Sequence, residues 1–517
     1  LTDKRHPQPT PLRARLADDA DWTAAGADIS KVGKPLKRFS WLSPRTLWRS
    51  RNNVLASISG DPTERARGAW TLQQRELLIA RGEREVARDF TLRRDDLSEF
   101  EFIVMGDTGE GDNSQYRVVP SLLSVLRDAE FAVIASDVVY PAGDVNEYVE
   151  KFFVPYAQFD KPIYAIPGNH DWLDGLAGFM RHFCDAEPPA EKLLPPRGER
   201  FAGVLELVHR SLWRRPRDLA PGTLRAADEL RGAARSRGPR QPNMYFAIDT
   251  PNLRIIAIDA GILGRLDFEQ GQWLRRVAAG DKPKLLISGK PVYAGPGMSP
   301  RRILGADGKG SVGTIWSVVS DPANNFVGMI AGDVHHYERH AVRLGDGRTM
   351  QCVISGGGGA FMTSTHQLGK VDMPEVGEED WVVFPTRADS LRAYSISLQR
   401  RLRIAPRGIP ADEAAAIVAE RHGLDPAFEL SRGEGAAEFP PTVSRRSRRL
   451  ANVVFPHGWR AQEKISELLD WDDPPYFKNF VRVVVDAGGV ELIAYGVTGL
   501  ERDVDDPPVI DRVRIDL

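Results

Sequence analysis

The chain has 517 residues, 42% of them hydrophobic and 27% charged, with a formal net charge of -2. This length exceeds one ordinary core and fits roughly two to four modules. The near-neutral balance excludes nucleic acid or an anionic membrane as an expected obligate partner. Two cysteines, Cys184 and Cys352, exclude a disulfide framework or zinc-finger set and are expected to be reduced core residues. No basic-then-apolar leader opens the chain, and no run approaches the ~20 apolar residues of a membrane span. A soluble, cytoplasmic protein is therefore expected. A removed leader stays open because the chain starts at Leu1, and the oligomeric state is left open too.

Residues 1–98 read as an N-terminal extension, partly helical. Pro7, Pro9 and Pro11 mark its start as loop. Over 69–89, Leu72, Ile79 and Val86 recur on one face and predict a helix packed on the main domain. From Phe100 the pattern changes. FEFIVMGD, EFAVIASD, KPIYAIPGNHD, LRIIAIDAG, KLLISGKP and FVGMIAGDVHH are short apolar runs that stop at Gly, Asp, Asn or His, as buried strands do. Helical stretches lie between several of them: PSLLSVLRDA, DGLAGFMRHF and FEQGQWLRRVAA. This alternation predicts α/β architecture over a core spanning 99–370. Two segments interrupt it. An Arg- and Pro-rich stretch at about 186–240 contains the helical piece FAGVLELVHRSLW and reads as an insertion. Residues 371–450 read as an insertion or cap, with a helix in RGIPADEAAAIVAERHG and a solvated basic turn in SRRSRR. Residues 451–517 return to strands that complete the core, with a hairpin at Gly488-Gly489.

In such sheets, ligands bind beyond the carboxyl ends of the strands. Four strand ends carry polar clusters: GDTG (Asp107, Gly109), SDVVY (Asp137, Tyr140), PGNHD (Asn169, His170, Asp171) and GDVHH (Asp333, His335, His336). One Asp at a strand end is usually a turn residue, but four such clusters in order are not. Oxygen donors with imidazole suit Mn, Fe or Zn. Two such ions about 3.5–4 Å apart can hold the attacking and leaving oxygens of a phosphoryl transfer.

The order GD-x-G, D-x-x-Y, GNHD and G-x-x-H-x-Y-E-R resembles the calcineurin-like metallophosphoesterase superfamily over roughly residues 100–370. IDAG…FEQGQWL, with Asp259, Gln272 and Trp273, is similar to a structural stretch of that family. The resemblance implies a four-layer β-sandwich flanked by helices. It implies two divalent or mixed-valence metal ions (Fe, Mn or Zn) and hydrolysis of a small phosphorylated substrate, a monoester or diester, by a metal-bound hydroxide. Asp107 would bind the first ion, Asp137 bridge both, Asn169 bind the second and His335 return to the first. His170 would act on the scissile phosphate or leaving oxygen, with Asp171 orienting its ring. Where the commonest first motif has a ligand His, this chain has Gly109. The purple-acid-phosphatase branch also lacks that His and uses a Tyr three residues after the bridging Asp, as Tyr140 follows Asp137. A phenolate ligand and plain packing both stay open for Tyr140.

Two departures fall on the second ion. Gly289, followed by Lys290, stands where the family has a ligand His, and Asp333 replaces the first His of the closing motif. Three readings follow. The second site is oxygen-rich through Asp333, or His336, His340 or His366 swings in, or the site is weak or empty. The first is favoured. Lys290, His336 and Arg339 are possible substrate contacts, an internal salt bridge being the alternative for Arg339. Asp144 is assigned to a turn or rim rather than the bridge, and the glycines of SGGGGA to a tight turn beside the site. A competing function is a catalytically weakened phosphoesterase fold acting in binding or regulation.

Overall fold

The computed structural model describes residues 35–36, 40–59, 61–125, 128–189, 204–233, 240–308, 310–402, 408–425, 442–455, 466, 476–498 and 503–517. The prolines expected to open the extension as loop lie outside these residues. The main strands are β1 (Thr91–Arg93), β2 (Phe100–Met105), β3 (Phe131–Ala135), β4 (Ile163–Ile166), β5 (Phe246–Asp249), β6 (Arg254–Ile258), β7 (Lys284–Ser288), β8 (Phe326–Ala331), β9 (Tyr337–Arg343), β10 (Thr349–Ser355), β11 (Trp381–Phe384), β12 (Lys478–Asp486), β13 (Gly489–Val497) and β14 (Val509–Asp516).

Six of them form one sheet in the order β14-β13-β12-β2-β3-β4, and eight form a second in the order β1-β5-β6-β7-β8-β10-β9-β11. The central strands β2, β3 and β4 run parallel, as do β6, β7, β8 and β10. The sheets face each other around one continuous apolar core. Every residue of β3, β4, β7 and β8 is buried. That explains the unbroken apolar runs in the sequence, because a strand covered on both faces has no reason to alternate. Helix Asn113–Val125 packs on the first sheet and helix Phe268–Ala278 on the second, giving the expected layered α/β sandwich. The second of these starts on Asp267, whose side chain accepts from the Gln270 amide as an N-cap. The first starts earlier than the sequence suggests and runs through Pro120.

The extension is built into this core. Its strand β1 pairs with β5 at the edge of the second sheet. Helix α1 (Thr63–Ala80) buries Trp70, Gln74 and Leu78, one position in four, whereas Leu72 and Ile79 are 52% and 46% exposed. The predicted apolar face is thus the outer one. The chain breaks at Gly82 before Val86, so those three residues do not share one helix. Arg67 takes the inward position. It is buried and bonds Asp259 Oδ2 and Asp267 Oδ2, each at 2.7 Å.

Two further boundaries shift. β11, at the start of the expected cap, is an edge strand of the second sheet. The basic SRRSRR stretch is not a turn: it opens a helix, Arg445–Val454, capped by Ser444. Both cysteines are free and buried. Among the described residues, no helix is long and apolar enough to cross a membrane.

One buried histidine makes the fold pH-sensitive. His182 places Nε2 2.8 Å from the Val145 carbonyl and stacks on Tyr148. Burial pushes its pKa down from 6.5 to about 4. The unfolded chain therefore binds the proton first. The neutral ring contributes fully above pH 6.5, and the contribution is lost as pH falls toward 4. The loss should be on the order of 3 kcal/mol. Urea unfolding at about pH 7 and about pH 4.5 should show His182→Gln losing less stability than wild type, and an equal or larger loss would refute the assignment.

Candidate metal centre and active site

The parallel strands of both sheets bring their carboxyl ends to one edge, and the four sequence clusters meet there. Asp107 follows β2, Asp137 follows β3, Asn169 and His170 follow β4, Lys290 follows β7, and Asp333 and His335 follow β8. Asp107 and Asp333 have φ of 59° and 73°, a left-handed conformation uncommon outside glycine and more often found in Asp and Asn. Such conformations persist where surrounding structure fixes them, and they gather at functional sites.

Asp107 is the hub. Its Oδ1 accepts from the Tyr140 hydroxyl at 3.1 Å and lies 3.9 Å from His335 Nε2, while its Oδ2 accepts from the Asp333 amide at 2.8 Å. The Tyr140 oxygen is itself 3.2 Å from His335 Nε2. His335 Nδ1 faces the Phe361 carbonyl at 3.0 Å. That contact places the proton on Nδ1 and leaves the Nε2 lone pair turned to Asp107 and Tyr140, as in metal-binding histidines. Burial, then Lys478, pushes the His335 pKa down to about 3, so the ring is neutral. Burial raises the Asp107 carboxyl well above its usual range, with Asp137 and Asp333 adding to it, and burial raises Asp137 as well. Carboxylates crowded out of water in this way are stabilised by a cation.

Gly109 has a local reason. A side chain there would collide with the Val138 carbonyl, so a His ligand is sterically barred at that position. The loop after β3 instead delivers Tyr140 to the same place.

His170 donates its backbone N–H to Asp137 Oδ1 at 2.7 Å, and its ring Nδ1 lies 2.9 Å from the Pro141 carbonyl. Asp171 does not orient that ring. Its carboxylate is fully buried and accepts from the amides of Val138, Val139 and Gly168 at 2.9, 3.2 and 3.1 Å. It ties the turn after β4 to the turn after β3, because adjacent residues of the tight turn point to opposite sides.

The second half of the centre differs from expectation. Lys290 Nζ donates to Asn169 Oδ1 at 2.9 Å and forms an ion pair with Asp333 Oδ1. None of the three histidines considered for this place turns toward it. His336 is bonded to Glu338, His340 Nε2 to the Gly295 carbonyl at 2.9 Å, and His366 Nδ1 to Ser390 Oγ at 2.8 Å, all three being buried. His336 is therefore not a substrate contact. Neither is Arg339, which is paired with Asp511 and reaches Gln351 Oε1 at 3.0 Å. Asp144 lies in a separate cluster with Arg214 and Arg217, at 3.1 and 3.2 Å.

A cavity of about 500 Å³ opens over the centre, with Asp137, Asn169, His170, Lys290, Asp333 and His335 in its lining. The extension supplies Trp41, Arg51 and Val54 to the same cavity. Trp41 sets its ring edge-on to Tyr140, His170 and Phe361, with centroids 5.0, 5.1 and 5.6 Å away, and donates Nε1–H to Glu110 at 2.8 Å. Sequence reasoning missed these three residues. A lone aromatic ahead of a short helix carries no signal of where that helix docks.

The first half of the centre fits a metal ion: Asp107, Asp137, His335 and Tyr140 supply carboxylate, imidazole and phenol. Among the described residues, no three His, Cys, Asp or Glu side chains form a ready metal-binding cluster. The second half does not fit a second ion, because an ammonium already sits on its oxygens.

Residues 100–218 match the family model described as calcineurin-like phosphoesterase. The matched segment holds Asp107, Asp137, Asn169 and His170, while Lys290, Asp333 and His335 lie beyond it. No curated protein matches the chain. Solved structures do. The Plasmodium protein GAP50, described as the anchor in the inner membrane complex, is 9% identical with a TM-score of 0.37, covering 81% of this chain and 89% of that one. Purple acid phosphatase PPD1 from yellow lupin (Lupinus luteus) is 11% identical with a TM-score of 0.35, covering 81% of this chain and 54% of that one. The protein TT1561 of Thermus thermophilus is 10% identical with a TM-score of 0.26, covering 50% of this chain and 89% of that one. With identities and scores this low, these structures carry no argument about the site.

Proposed function

We propose that the protein hydrolyses a phosphate ester, a monoester or diester of a small substrate, with a metal ion held by Asp107, Asp137, Tyr140 and His335. The observation that carries this reading is the His170 ring. Its Nδ1 is committed to the Pro141 carbonyl, so Nε2 is the atom left for a ligand in the cavity beside Asp137 and Asn169. A bound ion supplies Lewis-acid activation of water and charge neutralisation at phosphate. The protein's own groups do the rest. His170 donates to a phosphate oxygen or protonates the leaving oxygen. Lys290 presents a fixed positive charge to the same anion, as electrostatic preorganisation requires. Trp41 packs edge-on against the Tyr140 and His170 rings, and Phe361 against the His335 ring.

Assays of the purified protein on aryl phosphate mono- and diesters, with Mn²⁺, Fe or Zn²⁺ supplied in turn, should show turnover above a His170→Ala control. No excess over that control with any metal would rule hydrolysis out. The second reading, a binding or regulatory role, is favoured by one observation: Gly289 and the Lys290–Asp333 pair alter the half of the centre that faces the second ion. It predicts saturable binding of the same esters without turnover.

A further inference from the structure

The oxygen donors expected for a second ion are Asp137, Asn169 and Asp333, and a side chain of the protein already engages two of them. Lys290 Nζ bonds Asn169 Oδ1 at 2.9 Å and pairs with Asp333 Oδ1, with side-chain exposures of 12% for the lysine and 23% for the aspartate. Its position is fixed from several directions. The Ser288 hydroxyl donates to the Lys290 carbonyl at 2.9 Å and accepts the Lys290 amide at 3.3 Å, which closes a tight turn after β7. Gly264 leaves room for the lysine stem, since a Cβ there would lie 3.0 Å from Lys290 Cδ. Asp333 is held by its own amide on Asp107 Oδ2 at 2.8 Å, so the lysine is coupled through one residue to the first half of the centre. Position 289 offers no alternative ligand, because a Cβ there would sit 2.9 Å from the Pro167 carbonyl oxygen. A histidine at that point requires the backbone before Asn169 to move.

We infer that the Lys290 ammonium is the resident second cation of this centre, making it a one-metal, one-lysine site in which the lysine excludes a second metal ion. The inference rests on the proposed reading of the first half as a metal site. Its chemistry follows. A lysine is a compact point charge with no open coordination position. It can neutralise a phosphate oxygen but cannot present an activated water, so water activation falls to the first half alone.

Equilibrium dialysis against Mn²⁺, with metal per chain read by mass spectrometry, tests this without any activity measurement. Wild type should bind one ion. Lys290→Ala, and independently Lys290→Gln should the first variant fail to fold, should bind two, because Asp137, Asn169 and Asp333 are released. His335→Ala reads the first half separately and should bind none. Two ions in wild type, or no gain on removing Lys290, would overturn the inference. No ion in wild type with a gain of one in the Lys290 variants would instead refute the first-site reading and leave the exclusion by lysine standing.

Discussion

His170→Ala should lower kcat by about 10²–10⁴-fold, the usual contribution of a positioned acid or base, while leaving metal content and the unfolding midpoint near wild type. The separation follows from the geometry. The bond to Asp137 comes from the His170 backbone amide, which alanine keeps. The ring bond goes to Pro141, and the ring makes edge contacts with Tyr140 at 4.9 Å and Trp41 at 5.1 Å. Losing those two contacts costs roughly 1–3 kcal/mol, while the Tyr140 hydroxyl stays bonded to Asp107. Parallel measurement of kcat, bound metal and thermal midpoint checks this. A fall in kcat below tenfold would remove His170 from the chemistry, and a matching loss of metal would reassign it to the scaffold.

Its neighbour should behave oppositely. Asp171→Ala should destabilise the fold by on the order of 3–9 kcal/mol, since it strands three buried amides at about 1–3 kcal/mol each. Val138, Val139 and Gly168 donate those bonds, and the Tyr148 hydroxyl adds a longer one at 3.4 Å. The turns they hold carry Asp137 on one side and Asn169 with His170 on the other. Activity and metal binding should therefore fall together with stability, and Asp171→Asn, which keeps one acceptor oxygen, should lie between. Denaturant unfolding at fixed metal concentration measures it; a cost under about 1 kcal/mol would mean the amides find other partners.

This contrast shows what the sequence could and could not reveal. Strand ends were legible because burial on both sheet faces writes an apolar run, and the first polar residue after it marks the edge where ligands bind. Asp107, Asp137, Asn169 and His335 were picked out as candidates in this way, and they lie at the carboxyl ends of β2, β3, β4 and β8. The direction of a side chain was not legible. Asp171 follows His170, and His336 follows His335, yet in each pair one residue faces the cavity and the other faces the protein, as neighbours in extended or tightly turned chain do. Arg339 reaches across to β14 of the other sheet and pairs there with Asp511, a residue far along the chain. Long-range docking was equally silent. Arg67 occupies the inner face of α1 because Asp259 and Asp267 wait there, and no local periodicity encodes a buried arginine.

The placement of Trp41 has a thermodynamic consequence. Because the extension lines the cavity, docking of that segment and occupation of the site are linked equilibria. A ligand that favours the docked form must raise the docking constant by the same factor by which docking raises the ligand's affinity. The segment from Trp41 to Val54 should thus act as a reporter as well as a wall: amide protection around Trp41 should rise with ligand concentration along the binding isotherm of the centre itself.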